Sequence, residues 1–408
     1  MQETSDILIV GGGLNGCTLA LALAGTGFSV TLIDSQMAEQ LADDGFDGRS
    51  YALALASQRM LAALGLWQAV APHAQPILQI TASDGNAHSG PSPLHLLFDH
   101  AEIEEGPMGW MIEDRHLRQT LLGAIAATPA IRHLTGETVT AQHLEGRRIV
   151  ATLASGGQQA AALLVGCDGR TSGTAQRAGI RRTGWPYAQS ALVCAVAHEA
   201  PHNGTAHQMF LPHGPLAILP LQGNRSSIVW TEGTAQAKAI QALDDSGYLA
   251  ALQPRFGDFL GKISLAGARY SYPLALSLAN AMTAPRLALV GDAAHGIHPL
   301  AGQGLNLGLR DSAALAEVLA AARRRGEDIG AADVLARYQG WRRFDSATLA
   351  LATDGFNRLF SNDNPLLRLG RDIGLGLTNA MPPLRRRLIR EAAGLTGDLP
   401  RLLQGKSV

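Results

Sequence analysis

The stretch DILIVGGGLNGCTLALALAGTGFSVTLID, from Asp6 to Asp34, constrains the fold more than any other part of the chain. Ile7-Leu8-Ile9-Val10 is a continuous apolar run of strand length, Leu14 to Leu23 suits a following helix, and Phe28 to Ile33 suits a second parallel strand. Between strand and helix lies Gly11-x-Gly13-x-x-Gly16. The first glycine permits a tight turn, the second lets a pyrophosphate approach the backbone, and the third lets helix and strand pack closely. Leu14 and Asn15 open the helix, whose positive N-terminus would face phosphate. Asp34 ends the second strand as an acceptor for an adenosine ribose. A lone glycine fingerprint carries little weight, but strand, turn, helix, strand and acid in this order predict a dinucleotide site.

A second glycine-rich stretch, GDAAHGIHPLAGQGLNLGLRD, runs from Gly291 to Asp311. RLALV before it suits a buried parallel strand, and the Ala/Leu-rich sequence from Leu305 to Ala322 suits a helix. Gly291 and Asp292 turn the chain so that Asp292 can accept from a ribityl or ribose hydroxyl, and Pro299 stiffens the loop. Gly302 and Gly304 remove side chains where something flat must lie, while the helix start at Leu305 and Asn306 aims backbone N–H groups at it. NAD would need only the first platform. FAD needs one site for its ADP half and another for its flavin, so the two stretches are expected to be the two ends of one FAD site. His298 and Pro299 are the flavin-lining candidates, and no acid–base residue is assigned.

At 408 residues the chain suits about two to three domains. The balance of 33 basic against 34 acidic residues gives a formal charge of -1, which argues against nucleic acid as a partner. Cys17, Cys167 and Cys194 form no C-x-x-C pair, so neither a disulfide framework nor a thiolate metal site is expected. His295 and His298 have helical ligand spacing, but Gly296 and Pro299 place them in a loop, and no metal is expected. Cys167 suits packing rather than nucleophilic chemistry. The N-terminus carries no leader pattern, and no run of about 18 apolar residues occurs, so a cytoplasmic protein is expected. Ile77 to Ser83 alternates as a strand, Arg115 to Ile125 suits an amphipathic helix, and residues from about Trp185 to Tyr272 lean towards β structure. Trp185 and Tyr187 suit either substrate contact or packing of that sheet.

Three motifs carry a resemblance to a known family: GGGLNG with Asp34, CDGRTS from Cys167 to Ser172, and the whole Gly291 to Asp311 stretch. The chain resembles flavoprotein aromatic hydroxylases of the para-hydroxybenzoate hydroxylase type, and within them the ubiquinone-biosynthesis hydroxylases. DGRSYALALASQRMLAALGLW, GPLAILPL and AAGLTGDLPRLLQG extend the likeness over nearly the whole chain. The resemblance implies an α/β fold: a Rossmann-like FAD-binding domain with an inserted β-sheet substrate domain and a helical C-terminal region. The FAD-binding parts are expected at 1–75, 100–180 and 270–345, the substrate domain at 76–99 and 181–269, and the helical region at 346–408. Arg49 and Arg115 match arginines that contact FAD, with surface ion pairs as their alternative. Asp168 matches an aspartate associated with FAD and the reduced nicotinamide cofactor. That motif usually ends Ser-x-x-Arg, whereas Ala175 stands three positions after Ser172, with Arg177 near enough to substitute.

By resemblance, FAD reduced by NADH or NADPH would take up dioxygen as a C4a-hydroperoxide and hydroxylate a polyprenylated phenol or quinol of ubiquinone synthesis. Competing readings are a hydroxylase of another aromatic substrate and a non-catalytic flavin-binding subunit of a biosynthetic assembly. A flavin halogenase is disfavoured, because the Trp-x-Trp-x-Ile-Pro segment is absent. A lipid substrate also implies peripheral contact with an inner membrane. PPLRRRLIREAAGL offers Arg385, Arg386, Arg387 and Arg390 beside Leu384, Leu388 and Ile389 for an anionic surface or an assembly partner. A solvated helix packed on its own domain is the alternative.

Overall fold

A computed structural model describes residues 3–41, 43–86, 90–297, 302–360, 374 and 376–408. Its first sheet is built around β1 (Glu3–Val10), where Ile7, Leu8 and Ile9 are fully buried. The helix α1 (Leu14–Ala24) returns the chain to β2 (Val30–Asp34), which pairs parallel to β1 with Ile7 opposite Val30. On the other side of β1 lies Gln158–Gly166, also parallel, and beyond it Leu287–Leu289. Ile131–Thr135 continues the sheet past β2. Apolar runs without alternation form these central strands because both faces are covered, which removes any penalty for a second apolar face. The order puts the C-terminal ends of β1, β2 and Gln158–Gly166 side by side, so Gly11, Asp34 and Asp168 converge at one edge.

The second sheet has nine strands and is mostly antiparallel. Its long strand, Arg182–His198, pairs with Arg225–Gly233 and with Tyr270–Ala279. Gln79–Asn86 and Gly90–Asp99 join at its far edge. Leu192, Cys194 and Val196 alternate into one buried face, covered by the helices Thr234–Gln241 and Asp245–Phe256. Those helices interrupt the span expected to be β. Alternation in the neighbouring strands leaves a one-sided apolar face that needs a cover, and the Asp244 carboxylate caps the second helix by accepting from Gly247 N at 2.8 Å.

Two boundaries differ from expectation. Tyr270–Ala279, placed with the nucleotide fold by the 269/270 boundary, hydrogen-bonds within the second sheet and pairs there with His295–Gly296. The Gly291 stretch therefore belongs to both parts. The helix Ala332–Phe360 also begins well before residue 346 and crosses the expected start of the helical region. A third sheet, of three strands, pairs Gly109–Glu113 with Ser50–Ala54 and with Gln75–Ile77.

Candidate active site

The glycine fingerprint has three separate causes. Gly11 adopts φ +104°, and a Cβ there would lie 2.5 Å from the Cys167 carbonyl oxygen. At Gly16 a Cβ would lie 1.9 Å from the Gly11 oxygen, so this glycine sets the contact between helix and turn. A Cβ at Gly13 would meet nothing within 4 Å. Gly13 caps α1 without a side-chain hydrogen bond, and the first turn holds no acidic residue, so its N–H groups are available to an anion. Gly12 completes the set, since its Cβ would lie 2.2 Å from Asp34 Oδ2. The sequence reading had not singled it out.

These residues open onto a cavity of about 520 Å³, lined also by Leu14, Asp34, Arg49, Tyr51, Arg118, Asp168 and Arg177. That volume falls in the range of about 300–1,000 Å³ usual for small-molecule sites. Asp34 is buried, and its Oδ1 accepts from Gln36 N at 3.0 Å. The Asp168 carboxylate is held at both oxygens, by Ser172 Oγ at 2.5 Å and Thr174 N at 2.9 Å. Ala175 is buried beneath this turn and donates its N–H to Ser172 Oγ, whereas Arg177 reaches the cavity wall with Nε on Gln142 Oε1 at 3.1 Å. Burial holds the Arg177 pKa below its ordinary value against the pull of Asp168.

The two expected FAD arginines separate. Arg49 lines the cavity, with Nε 2.7 Å from Asp47 and Nη2 3.5 Å from Asp114. Burial alone would lower its pKa, but Asp114 and Asp47 raise it above the ordinary value. Arg115 lies outside the wall: its Nε donates to Glu113 Oε2 at 2.8 Å and its guanidinium stacks 5.6 Å from the Phe46 ring. Arg118, three residues on in the helix Asp114–Ala126, occupies the wall instead and donates to Asp114 and to the Asp43 carbonyl oxygen. Its i,i+4 spacing from Asp114 was the available signal.

The Gly291 stretch meets α1 directly. The Asn15 carboxamide fills the space between Gly291 and Gly308, where a Cβ would come within 2.5 and 2.2 Å of its Nδ2. Asn15 thus wedges two elements together, and its buried Oδ1 has no hydrogen-bond partner among the described residues. Gly291 takes φ +63°, and its N–H donates to Asp311 at 3.0 Å. The Asp292 carboxylate accepts from Arg170 Nε at 3.0 Å, while Arg182 donates to the Asp292 carbonyl oxygen. Gly302 has φ +66° and caps the helix Gln303–Arg324. A Cβ at Gly304 would meet none of the described residues within 4 Å. Leu305 is half-buried against the core. Asn306 spends its side chain on the protein, accepting from Ala54 N and Ser57 Oγ and donating to the Ala52 and Gly302 carbonyl oxygens. It clamps the helix start to the strand Ser50–Ala54. His298 and Pro299 lie outside the described residues.

An ion cluster absent from the sequence reading braces this end. His295 Nε2 donates to Asp311 Oδ2 at 2.5 Å, and Arg342 Nε to Asp311 Oδ1 at 2.8 Å, with all three residues buried. Burial alone would raise the Asp311 carboxyl, but His295 and Arg342 hold it below the ordinary range. Cys17 is a packing thiol: burial, with Asp34 nearby, pushes it up to about 12. No grouping of three or more metal-ligating side chains occurs among the described residues. Tyr187 packs beside Leu276, Ile297 and Leu307 at the end of the described Gly291 stretch, and Trp185 Nε1 donates to Asp354.

The residues fit FAD. Open space at Gly13 and again at Gly304 lies beside two helix N-termini, one next to the buried Asp34 and one next to the braced turn at Gly291. Residues 4–345 match the family described as an FAD binding domain. The fold is shared with p-nitrophenol 4-monooxygenase PnpA from Pseudomonas putida DLL-E4, at a TM-score of 0.80 and 18% identity over 97% of this chain and 99% of that one. The matched family therefore makes the class an FAD-binding flavoprotein, on the fold shared with that enzyme. Ubiquinone hydroxylase UbiL of Rhodospirillum rubrum is 47% identical over 407 residues, covering 99% of this chain and 94% of that protein. 3-Demethoxyubiquinol 3-hydroxylase of Escherichia coli is 37% identical over 396 residues, covering 97% of this chain and 100% of that one. The chain belongs to the ubiquinone hydroxylase family.

Proposed function

We propose that this enzyme hydroxylates the aromatic ring of a polyprenylated phenol or quinol on the route to ubiquinone, using dioxygen and NADH or NADPH. Bound FAD supplies the chemistry of hydride acceptance and oxygen activation. The chain's own residues bind, orient and dry the site. The Gly11 turn, Arg49, Arg118 and Asp34 hold the ADP half, and the braced Gly291 turn with the helix start at Gly304 receives the flavin. The observation that carries the substrate class is the full-length likeness to ubiquinone hydroxylase UbiL and 3-demethoxyubiquinol 3-hydroxylase, and the buried apolar cluster of Leu276, Ile297 and Leu307 beside the flavin segment supports it by keeping water from that end of the site. An electron-rich phenol needs no strong acid from the protein. The absence of an assigned acid–base residue is compatible with that chemistry.

A prenylated substrate also brings the enzyme to a lipid surface. No helix among the described residues is long and apolar enough to cross a membrane. The tail helix Pro382–Ala392 supports a narrower contact than four arginines. Arg385 Nε donates to Glu102 at 2.8 Å and Arg390 pairs with Glu105, so both are neutralised within the molecule. Arg386 and Arg387 stay exposed, beside Leu377, Met381 and Leu384 at 59%, 52% and 38% exposure. The proposed contact is this pair of arginines with that apolar stripe.

Expression of the chain in a strain lacking ubiquinone hydroxylases tests the function. Restored ubiquinone is expected. Accumulation of the same unhydroxylated precursor with and without the chain, at equal protein level, would refute the substrate assignment.

A further inference from the structure

The outer wall of the FAD cavity is an exposed loop, and one aromatic ring pins it. Asp43, Gly45, Asp47 and Arg49 line the cavity from this loop, and residues 43–45 are exposed on its outer side. Phe46 alone among them turns inward as a large apolar side chain, packed against the main core. Its ring contacts two guanidinium groups, 5.6 Å from Arg115 Cζ and 5.3 Å from Arg225 Cζ. Both arginines are fixed by the same buried carboxylate: Glu113 Oε2 accepts from Arg115 at 2.8 Å, and Glu113 Oε1 pairs with Arg225 at 2.7 Å. Arg225 begins the strand Arg225–Gly233 of the second sheet, far in sequence from every motif of the nucleotide site.

We propose that Phe46, held by Arg115 and Arg225, is a latch that keeps FAD in its cavity, and that Arg225 is a cofactor-retaining residue supplied by the second sheet. The grip is two cation–π contacts to one ring, and Glu113 keeps the two arginines together beside it. Hydrogen bonds from Arg115 to the Asp44 carbonyl oxygen and from Arg118 to the Asp43 carbonyl oxygen hold the loop backbone on the same side. With the ring released, the wall would keep only its polar ties, these two and the bond from Ala268 N to the Asp47 carbonyl oxygen among them. Retention of the cofactor therefore depends on the second sheet being in place. This inference rests on FAD occupying the cavity and is independent of the substrate.

The test is the release rate of FAD from purified holoenzyme, followed by the rise in flavin fluorescence on dilution. Phe46→Ala and Arg225→Gln are each expected to speed release about tenfold, the loss of one to two cation–π contacts. Phe46→Tyr, which keeps the ring, should release at the wild-type rate. Thermal melting of the apoproteins separates retention from folding: both variants lower the midpoint, and the latch requires release faster than from a second-sheet core variant such as Ile218→Val or Ile218→Ala brought to the same apoprotein midpoint. Equal release from wild type, Phe46→Ala and Arg225→Gln would overturn the latch while leaving FAD binding intact. A wild type that holds no flavin would instead overturn the cofactor assignment.

Discussion

Gly13 and Gly16 lie one helical turn apart and answer to different constraints. Because a Cβ at Gly13 enters open space, Gly13→Val should fold normally and yet lose FAD affinity by at least about tenfold, roughly 1.4 kcal/mol. Gly16→Val must push against the Gly11 oxygen and should lower stability by about 1–3 kcal/mol or more. Flavin content and denaturation midpoint, measured on both variants, check the contrast; equal stability losses would make Gly13 merely structural. Gly304→Val repeats the Gly13 logic at the flavin end, with Gly308→Val as its packing counterpart against Asn15. Glycines and Asp34 were legible in the sequence because backbone geometry dictates them. Arg115, Arg118 and Asn306 were not, since long or forked side chains follow tertiary partners. Arg115 was drawn to Glu113 and Phe46, and Asn306 to the strand Ser50–Ala54.

Between elements, Asp311 ties the Gly291 turn to the helix Ala332–Phe360 through Arg342. Arg342→Met would strip Asp311 Oδ1 of its partner while His295 and Gly291 N still hold Oδ2, a loss of up to about 3–5 kcal/mol visible as a fall in the denaturation midpoint. A midpoint within about 1 kcal/mol of wild type would show that solvent reaches Asp311. The tail helix makes the second prediction at this scale. Flotation with anionic liposomes should fail for Arg386→Gln/Arg387→Gln and persist for Arg385→Gln/Arg390→Gln, with each free arginine contributing about 1 kcal/mol at low salt. Equal flotation of both pairs would remove the assigned contact. From sequence, all four arginines looked equivalent. Glu102 and Glu105 distinguish them from about 280 residues away, and no local pattern could have announced that pairing.

Across the whole molecule, the sheets are interleaved rather than appended, with the Gly291 stretch shared between them. The α/β class and the first parallel strands were readable from apolar runs and turn glycines. The placement of Tyr270–Ala279 was not, because strand pairing partners are non-local. Burial also sets a global acid response. His116, His133, His198 and His207 all titrate below their ordinary value of 6.5, burial being the first cause in each, and His207 falls to about 4. Below pH 6.5 the unfolded chain therefore binds protons that the native state refuses, and stability should fall steadily from pH 6.5 towards 4. His207→Gln should flatten that slope in melting curves, and an unchanged slope would assign the acid loss elsewhere. The central claim is that this chain is an FAD-dependent hydroxylase of a prenylated phenol, and turnover of the purified holoenzyme with NAD(P)H, a prenylphenol and isotopically labelled dioxygen tests it most directly. The account predicts NAD(P)H oxidation stimulated by the phenol and one labelled oxygen atom on the product ring. NAD(P)H consumption indifferent to the phenol, with no labelled product, would contradict it.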